Sequence, residues 1–182
     1  MSNQKKITNE EQATLVNLLN KFEPGFLPLE VFSAIIKIIV NPTYLVVPLY
    51  EDNGTLKVLL QDRDVDDTFW PGQMALPGKV ILSSDESLDA VYQRLIKTEL
   101  PAAKIKNGPV FCDHIFEKVP RGKEICLINY VLLSEPTNDG KLYDVNNLPK
   151  NIVETEIKRV EMAVKKYRGK PTSSIISNRI NL

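Results

Sequence analysis

Only two cysteines, one histidine and one tryptophan occur in 182 residues, and neither sign of charge is in excess. Cys112 and Cys126 form no CxxC pair and have no histidine at zinc-ligand spacing. That excludes a cysteine-rich zinc module and predicts two buried, reduced thiols. The lone histidine, His114, has no serine or cysteine motif around it, so a hydrolytic triad is excluded and a structural or surface role remains. Lysine plus arginine equals aspartate plus glutamate at 23 each, so no overall field draws the chain to nucleic acid or to an anionic membrane. Long apolar runs are missing too. The most apolar stretch, residues 34–40, is far short of the ~20 residues that span a bilayer. The opening MSNQKKITNEEQ is polar and has no apolar h-region, so the expectation is a cytoplasmic protein.

What is present is enough for one domain with an added element, with a core large enough to need no disulfide. Residues 9–22 predict a helix: Thr8 and Glu11 have capping-box spacing, and Leu15, Leu18, Leu19 and Phe22 recur on one side. Pro24-Gly25 ends it. A second helix is expected from Pro28 to about Val40, with Phe32, Ile35, Ile36 and Ile39 on one side and Asn41-Pro42 as its stop. Residues 44–50 and 56–61 read as strands joined through Asn53-Gly54, a pair that tolerates positive φ in a tight hairpin. A loop at 62–72 leads to a short strand around Met74, then a helix from Asp85 to Leu100, capped by Ser83 or Asp85. Residues 109–118 and 124–133 predict a second hairpin. A polar loop and a long helix from about Pro149 to Tyr167 follow, then a weakly periodic tail. The basic cluster Lys165, Lys166, Arg168 and Lys170 is diluted by Glu154, Glu156 and Glu161, and reads as a solvated helix end.

Chemistry concentrates between Leu76 and Pro101. Leu76-Pro77-Gly78 enters a polar loop, then a helix carrying Glu86, Arg94 and Glu99. Upstream stand Gln61-Asp62-Arg63 at a strand end and Phe69-Trp70-Pro71-Gly72. This order resembles the Nudix family of pyrophosphate-cleaving hydrolases over roughly residues 44–135. The family box runs glycine, five residues, glutamate, seven residues, then Arg-Glu-aliphatic-x-Glu-Glu-x-Gly. Here seven residues separate Gly78 from Glu86, and seven separate Glu86 from Arg94. The core reads Arg94-Leu95-Ile96-Lys97-Thr98-Glu99-Leu100-Pro101, so Leu95 and Thr98 stand where the family has carboxylates and Pro101 stands for the closing glycine.

The resemblance implies an α/β fold. It would be a Nudix-like α/β/α sandwich with a mixed, mostly antiparallel sheet and an N-terminal two-helix extension. The expected division is 1–42 helical extension, 43–170 Nudix-like domain and 171–182 tail. It further implies a metal-dependent hydrolase of a nucleoside diphosphate linked to another moiety, with activity weakened by the two missing carboxylates. Glu99 and Arg94 would be catalytic, Glu99 and Glu86 would hold Mg²⁺ or Mn²⁺, and Arg63, Trp70, Gly78 and Lys79 would bind substrate. Asp113, Glu117 and Glu124 are the other carboxylates that could assist. Glu99 equally fits a helix-end carboxylate paired with Arg94 or Lys97, and Trp70 fits either a base-stacking face or a plug at the sheet edge. Two other functions stay open: a regulatory domain that binds a nucleotide or nucleotide sugar without cleaving it, and a protein-interaction module whose helical preface builds a homodimer or a partner surface.

Two further matches fail on their own residues. Residues 72–80 resemble a phosphate loop but carry Val80 where a hydroxyl is needed. Residues 62–73 begin like a calcium loop but have Asp67 in place of glycine and Gln73 in place of glutamate.

Overall fold

A single seven-stranded sheet organises the chain, seen in a computed structural model that describes residues 7–169. The elements run α1 (Asn9–Leu19), α2 (Leu29–Ile35), β1 (Val40–Asp52), β2 (Thr55–Asp62), β3 (Met74–Ala75) and β4 (Gly78–Val80). Then come α3 (Leu88–Glu99), β5 (Ile105–Val119), β6 (Gly122–Leu133), β7 (Lys141–Asp144) and α4 (Glu154–Tyr167). The main path is β3-β2-β1-β6-β5, with β4 added to β1 and β7 to β2. Among the described strands, β1 and β6 pair in parallel and the other strand pairs are antiparallel.

Strand β1 is buried without interruption from Thr43 to Leu49, as a strand covered on both faces must be. Its side chains alternate between two cores. Leu45, Val47 and Leu49 pack with Val160 and Ala163 of α4. Tyr44 and Val46 pack with Val91, Tyr92 and Leu95 of α3. Two helices on opposite faces of one open sheet make the expected sandwich. The β1–β2 turn is also as expected: Asn53 has φ 47° and Gly54 φ 83°, joining Asp52 to Thr55.

Several boundaries differ from the sequence reading. Helix α2 ends at Ile35, and Val40 already begins β1. Pro42 lies inside that strand rather than stopping a helix, and its carbonyl accepts from the Ile81 amide. Strands β4 and β7, at three and four residues, are too short to show a period. β7 fits because Gly140 precedes it: a Cβ there would collide with the Leu60 carbonyl oxygen. Helix α3 starts at Leu88, with the Ser87 hydroxyl accepting from the Ala90 amide at 3.1 Å, so neither Ser83 nor Asp85 is the cap.

The helical preface divides in two. Thr8 and Glu11 form the capping box of α1, yet no residue of α1 is buried. Leu15, Leu18 and Leu19 are about half exposed. Within the second apolar face only Ile36 reaches the core, beside Gly122, where any Cβ would strike the Ile36 carbonyl oxygen. Both cysteines are buried and free, and burial pushes each thiol up to about 12. The tail, residues 170–182, lies outside the described residues. Among the described residues no helix is long and apolar enough to cross a membrane.

Candidate functional site

Helix α3 is anchored to the loop before it by one arginine. Arg94 Nε donates to Asp85 Oδ1 at 3.0 Å, and its Nη2 donates to Asp85 Oδ2 at 2.7 Å and to the Val80 carbonyl at 2.8 Å. Asp85 also accepts from the Leu82 amide at 2.7 Å, closing the loop on itself. The bond from Arg94 holds the Asp85 carboxyl below its ordinary range. Glu86, by contrast, is exposed and lies before the helix. The carboxylate that meets Arg94 is therefore one residue away from the one the spacing singled out.

The far end of α3 carries Glu99. Its backbone carbonyl accepts from Gln61 Nε2 at 2.6 Å, tying the helix end to β2. Its carboxylate is ion-paired with Lys79 of β4, not with Arg94 or Lys97. Lys79 is held opposite Tyr44, and Gly78 opposite Leu45, by the β1–β4 ladder. Gly78 is thus a strand residue rather than a loop glycine. The side chains of Lys79 and Glu99 are 22% and 29% exposed, enough to reach solvent and enough to be fixed.

Beside this pair opens a cleft of ≈ 250 Å³. Its lining carries the cations Arg63, Lys79, Arg94, Arg121 and Arg159 against the carboxylates Glu124 and Glu156. Trp70 lies in it with two guanidinium groups near its ring, Arg63 at 5.2 Å and Arg121 at 5.3 Å from the centroid. The loop that presents Trp70 is built on Asp67, which accepts from the Phe69 and Trp70 amides and from Arg63. Burial pushes the Asp67 carboxyl up, but those bonds outweigh it and hold it below its ordinary range. The acidic loop is therefore an organiser of Trp70. Phe26, from the preface, stands at the cleft 5.7 Å from the Arg94 guanidinium and is 78% exposed.

The floor of the cleft is polar and buried. Arg159 of α4 reaches Glu156 at 3.2 Å, Glu117 at 2.6 Å and Glu124 at 2.9 Å, and Glu124 also pairs with Arg121. Among the described residues, Glu156 Oε2 and Arg159 Nε have no hydrogen-bond partner. Burial pushes the Glu156 carboxyl up to about 7 against the opposing pull of Arg159. Glu117 and Glu124 are thus committed to arginines. Asp113 is beside His114, whose side chain is 60% exposed. Sequence reasoning missed Phe26, Arg121, Glu156 and Arg159 as cleft residues. The i, i+3 spacing of Glu156 and Arg159 was visible, but which helix face meets the cleft is a tertiary fact.

As donors for Mg²⁺ or Mn²⁺ the side chains present fit poorly. Leu95 is fully buried in the core and carries no ligand atom. The Thr98 hydroxyl bonds back to the Arg94 carbonyl at 2.9 Å. Glu99 is engaged by Lys79. Among the described residues, no group of three or more histidine, cysteine, aspartate or glutamate side chains is placed to hold an ion. A divalent ion here would have to be held chiefly by water and by a ligand's own phosphate oxygens.

No family model and no curated protein matches the chain in sequence. Solved structures do match in shape. A mutT/nudix family protein from Listeria innocua superposes with a TM-score of 0.55 at 16% identity, covering 71% of this chain and 94% of that one. The Nudix domain of Shewanella oneidensis NrtR, solved with ADP ribose, gives a TM-score of 0.55 at 20% identity over 88% of this chain and 99% of that one. A C. elegans Ap4A hydrolase gives 0.53 at 14% identity over 71% and 99%. Relatives in shape thus include both a hydrolase and a ligand-bound domain of another kind, and these identities carry the fold alone. The chain has the Nudix fold.

Proposed function

We propose that this chain is a Nudix-fold domain that binds a nucleoside diphosphate derivative in the Trp70 cleft without cleaving it. The observation that carries this reading is the engagement of Glu99 by Lys79 at a helix patch whose other two positions are Leu95 and Thr98. Cleavage of a diphosphate in this fold calls on metal ions to neutralise phosphate oxygens and activate water. One carboxylate already neutralised by an ammonium is a weak anchor for such an ion. Binding needs less: cations for the phosphates and a flat face for a base. Arg63 and Arg121 both lie close to the Trp70 ring, and a guanidinium keeps donors free after its carboxylate partner has taken two. The ADP ribose held by the NrtR domain is a ligand of this chemical class.

The hydrolase reading keeps Glu99 and Arg94 as its catalytic pair and is supported by the intact Arg94–Asp85 frame of the box. It needs a metal held chiefly by the ligand's own phosphates. The interaction-module reading draws on the exposed apolar residues of α1.

Calorimetric titration with ADP, GDP, UDP and ADP-ribose tests the proposal. Saturable binding to at least one, weakened in Arg121→Ala, is expected. No binding to any of them would overturn it.

A further inference from the structure

The pair that disqualifies Glu99 as a free metal ligand has a chemistry of its own. Lys79 and Glu99 come from different elements, and each is fixed at its backbone. Lys79 is held in the β1–β4 ladder, and the Glu99 carbonyl takes the Gln61 amide at 2.6 Å. Lys79 also lines both the Trp70 cleft and an adjoining hollow of ≈ 340 Å³, where it and Arg63 are the cations among the carboxylates Asp62, Asp64, Asp67 and Glu99. An ammonium is therefore fixed at the end of the helix patch, at the boundary of both spaces.

We infer that the Lys79 ammonium takes over the place of the divalent ion, so that ligand diphosphate is bound by a cation supplied by the chain itself and independently of metal. This rests on the binding function proposed above and adds how the phosphates are held. An ammonium has three donors. Glu99 uses one, which leaves two for non-bridging phosphate oxygens. The carboxylate acts as an orienting group: it keeps the lysine stem extended across the cleft mouth instead of free in solvent. The charge balance differs from a metal site. A divalent ion on one carboxylate leaves one positive charge, whereas Lys79 with Glu99 leaves none. The remaining charge on the diphosphate must then be met by Arg63 and Arg121, which lie near Trp70 and line the same cleft. Removing the lysine makes the local field negative, because a bare Glu99 carboxylate would face the phosphates. A divalent ion then becomes useful, as a bridge between Glu99 and the diphosphate.

The test is calorimetry with ADP, GDP, UDP and ADP-ribose in EDTA and again in Mg²⁺, on wild type, Lys79→Met and Lys79→Met/Glu99→Gln. Binding of Mn²⁺ by the protein alone and with nucleotide is followed in parallel by electron paramagnetic resonance. Wild type should bind equally in both buffers and hold no Mn²⁺. Lys79→Met should weaken at least ~10-fold in EDTA. It should recover in Mg²⁺ and take up Mn²⁺ with the nucleotide. The double variant should lose the recovery. Circular dichroism confirms that each variant is folded. Wild-type binding that requires Mg²⁺, or Lys79→Met binding as tightly as wild type in EDTA, overturns this inference and leaves the binding function standing. Failure of wild type to bind any of the four overturns both.

Discussion

Arg94 and Asp85 form a two-pronged pair, Nε to Oδ1 at 3.0 Å and Nη2 to Oδ2 at 2.7 Å, that staples α3 to the loop preceding it. Asp85 is almost enclosed, with 7% of its side chain exposed, and Arg94 has 21%. Breaking one side of such a pair leaves the other partly buried and unmatched. Arg94→Ala should cost on the order of 2–3 kcal/mol in urea denaturation. Arg94→Lys should recover little, since an ammonium cannot copy the fork. Glu86→Gln, at an exposed position, should change stability by less than ~0.5 kcal/mol. Equal losses for Glu86→Gln and Asp85→Asn would contradict this assignment.

The two apolar stripes of the preface should respond differently to truncation. Ile36 is 2% exposed, whereas Leu18 is 50% exposed. Ile36→Ala should therefore cost roughly 2–4 kcal/mol. Leu18→Ala should stay within ~0.5 kcal/mol in the monomer. A large loss for Leu18→Ala, together with a falling molecular mass in light scattering, would show that α1 is covered by a second copy.

Stability should fall as pH rises through the range of Glu156. Its carboxyl is pushed up from an ordinary 4.5 to about 7, so the folded chain holds a proton that the unfolded chain has released. The contribution is fully present below the unfolded value and is lost between about 4.5 and 7, at most on the order of 3 kcal/mol. Glu156→Gln, which stays neutral at every pH, should flatten this slope and raise stability at pH 8 relative to wild type. An unchanged slope in that variant would place the titration elsewhere.

Trp70 is the only tryptophan, so its fluorescence reports on the cleft alone. A nucleotide stacking there should change its emission, and Trp70→Ala should weaken binding by about 1–3 kcal/mol. Binding with unaltered emission would put the base away from Trp70.

Fold and frame were readable because they rest on local patterns. Asn53-Gly54 fixed one hairpin, and Thr8 with Glu11 capped α1. Glu99 and Arg94 stood out for the same reason, through spacing along one helix. The partner of Glu99 did not, because Lys79 is twenty residues away on a three-residue strand. The cleft floor was hidden for a similar reason: Glu117, Glu124, Glu156 and Arg159 come from three elements and meet only after the sheet and α4 have packed. The preface misled in the opposite direction, since a regular apolar stripe on α1 says that a face is sticky but not that this chain covers it.

The most direct test of binding without cleavage is a phosphorus NMR time course of ADP-ribose with wild-type protein, in Mg²⁺ and in EDTA. The diphosphate resonances should shift or broaden in both buffers, and no nucleoside monophosphate signal should grow. A monophosphate signal that appears in Mg²⁺ and disappears in Glu99→Gln would contradict the account and restore the hydrolase.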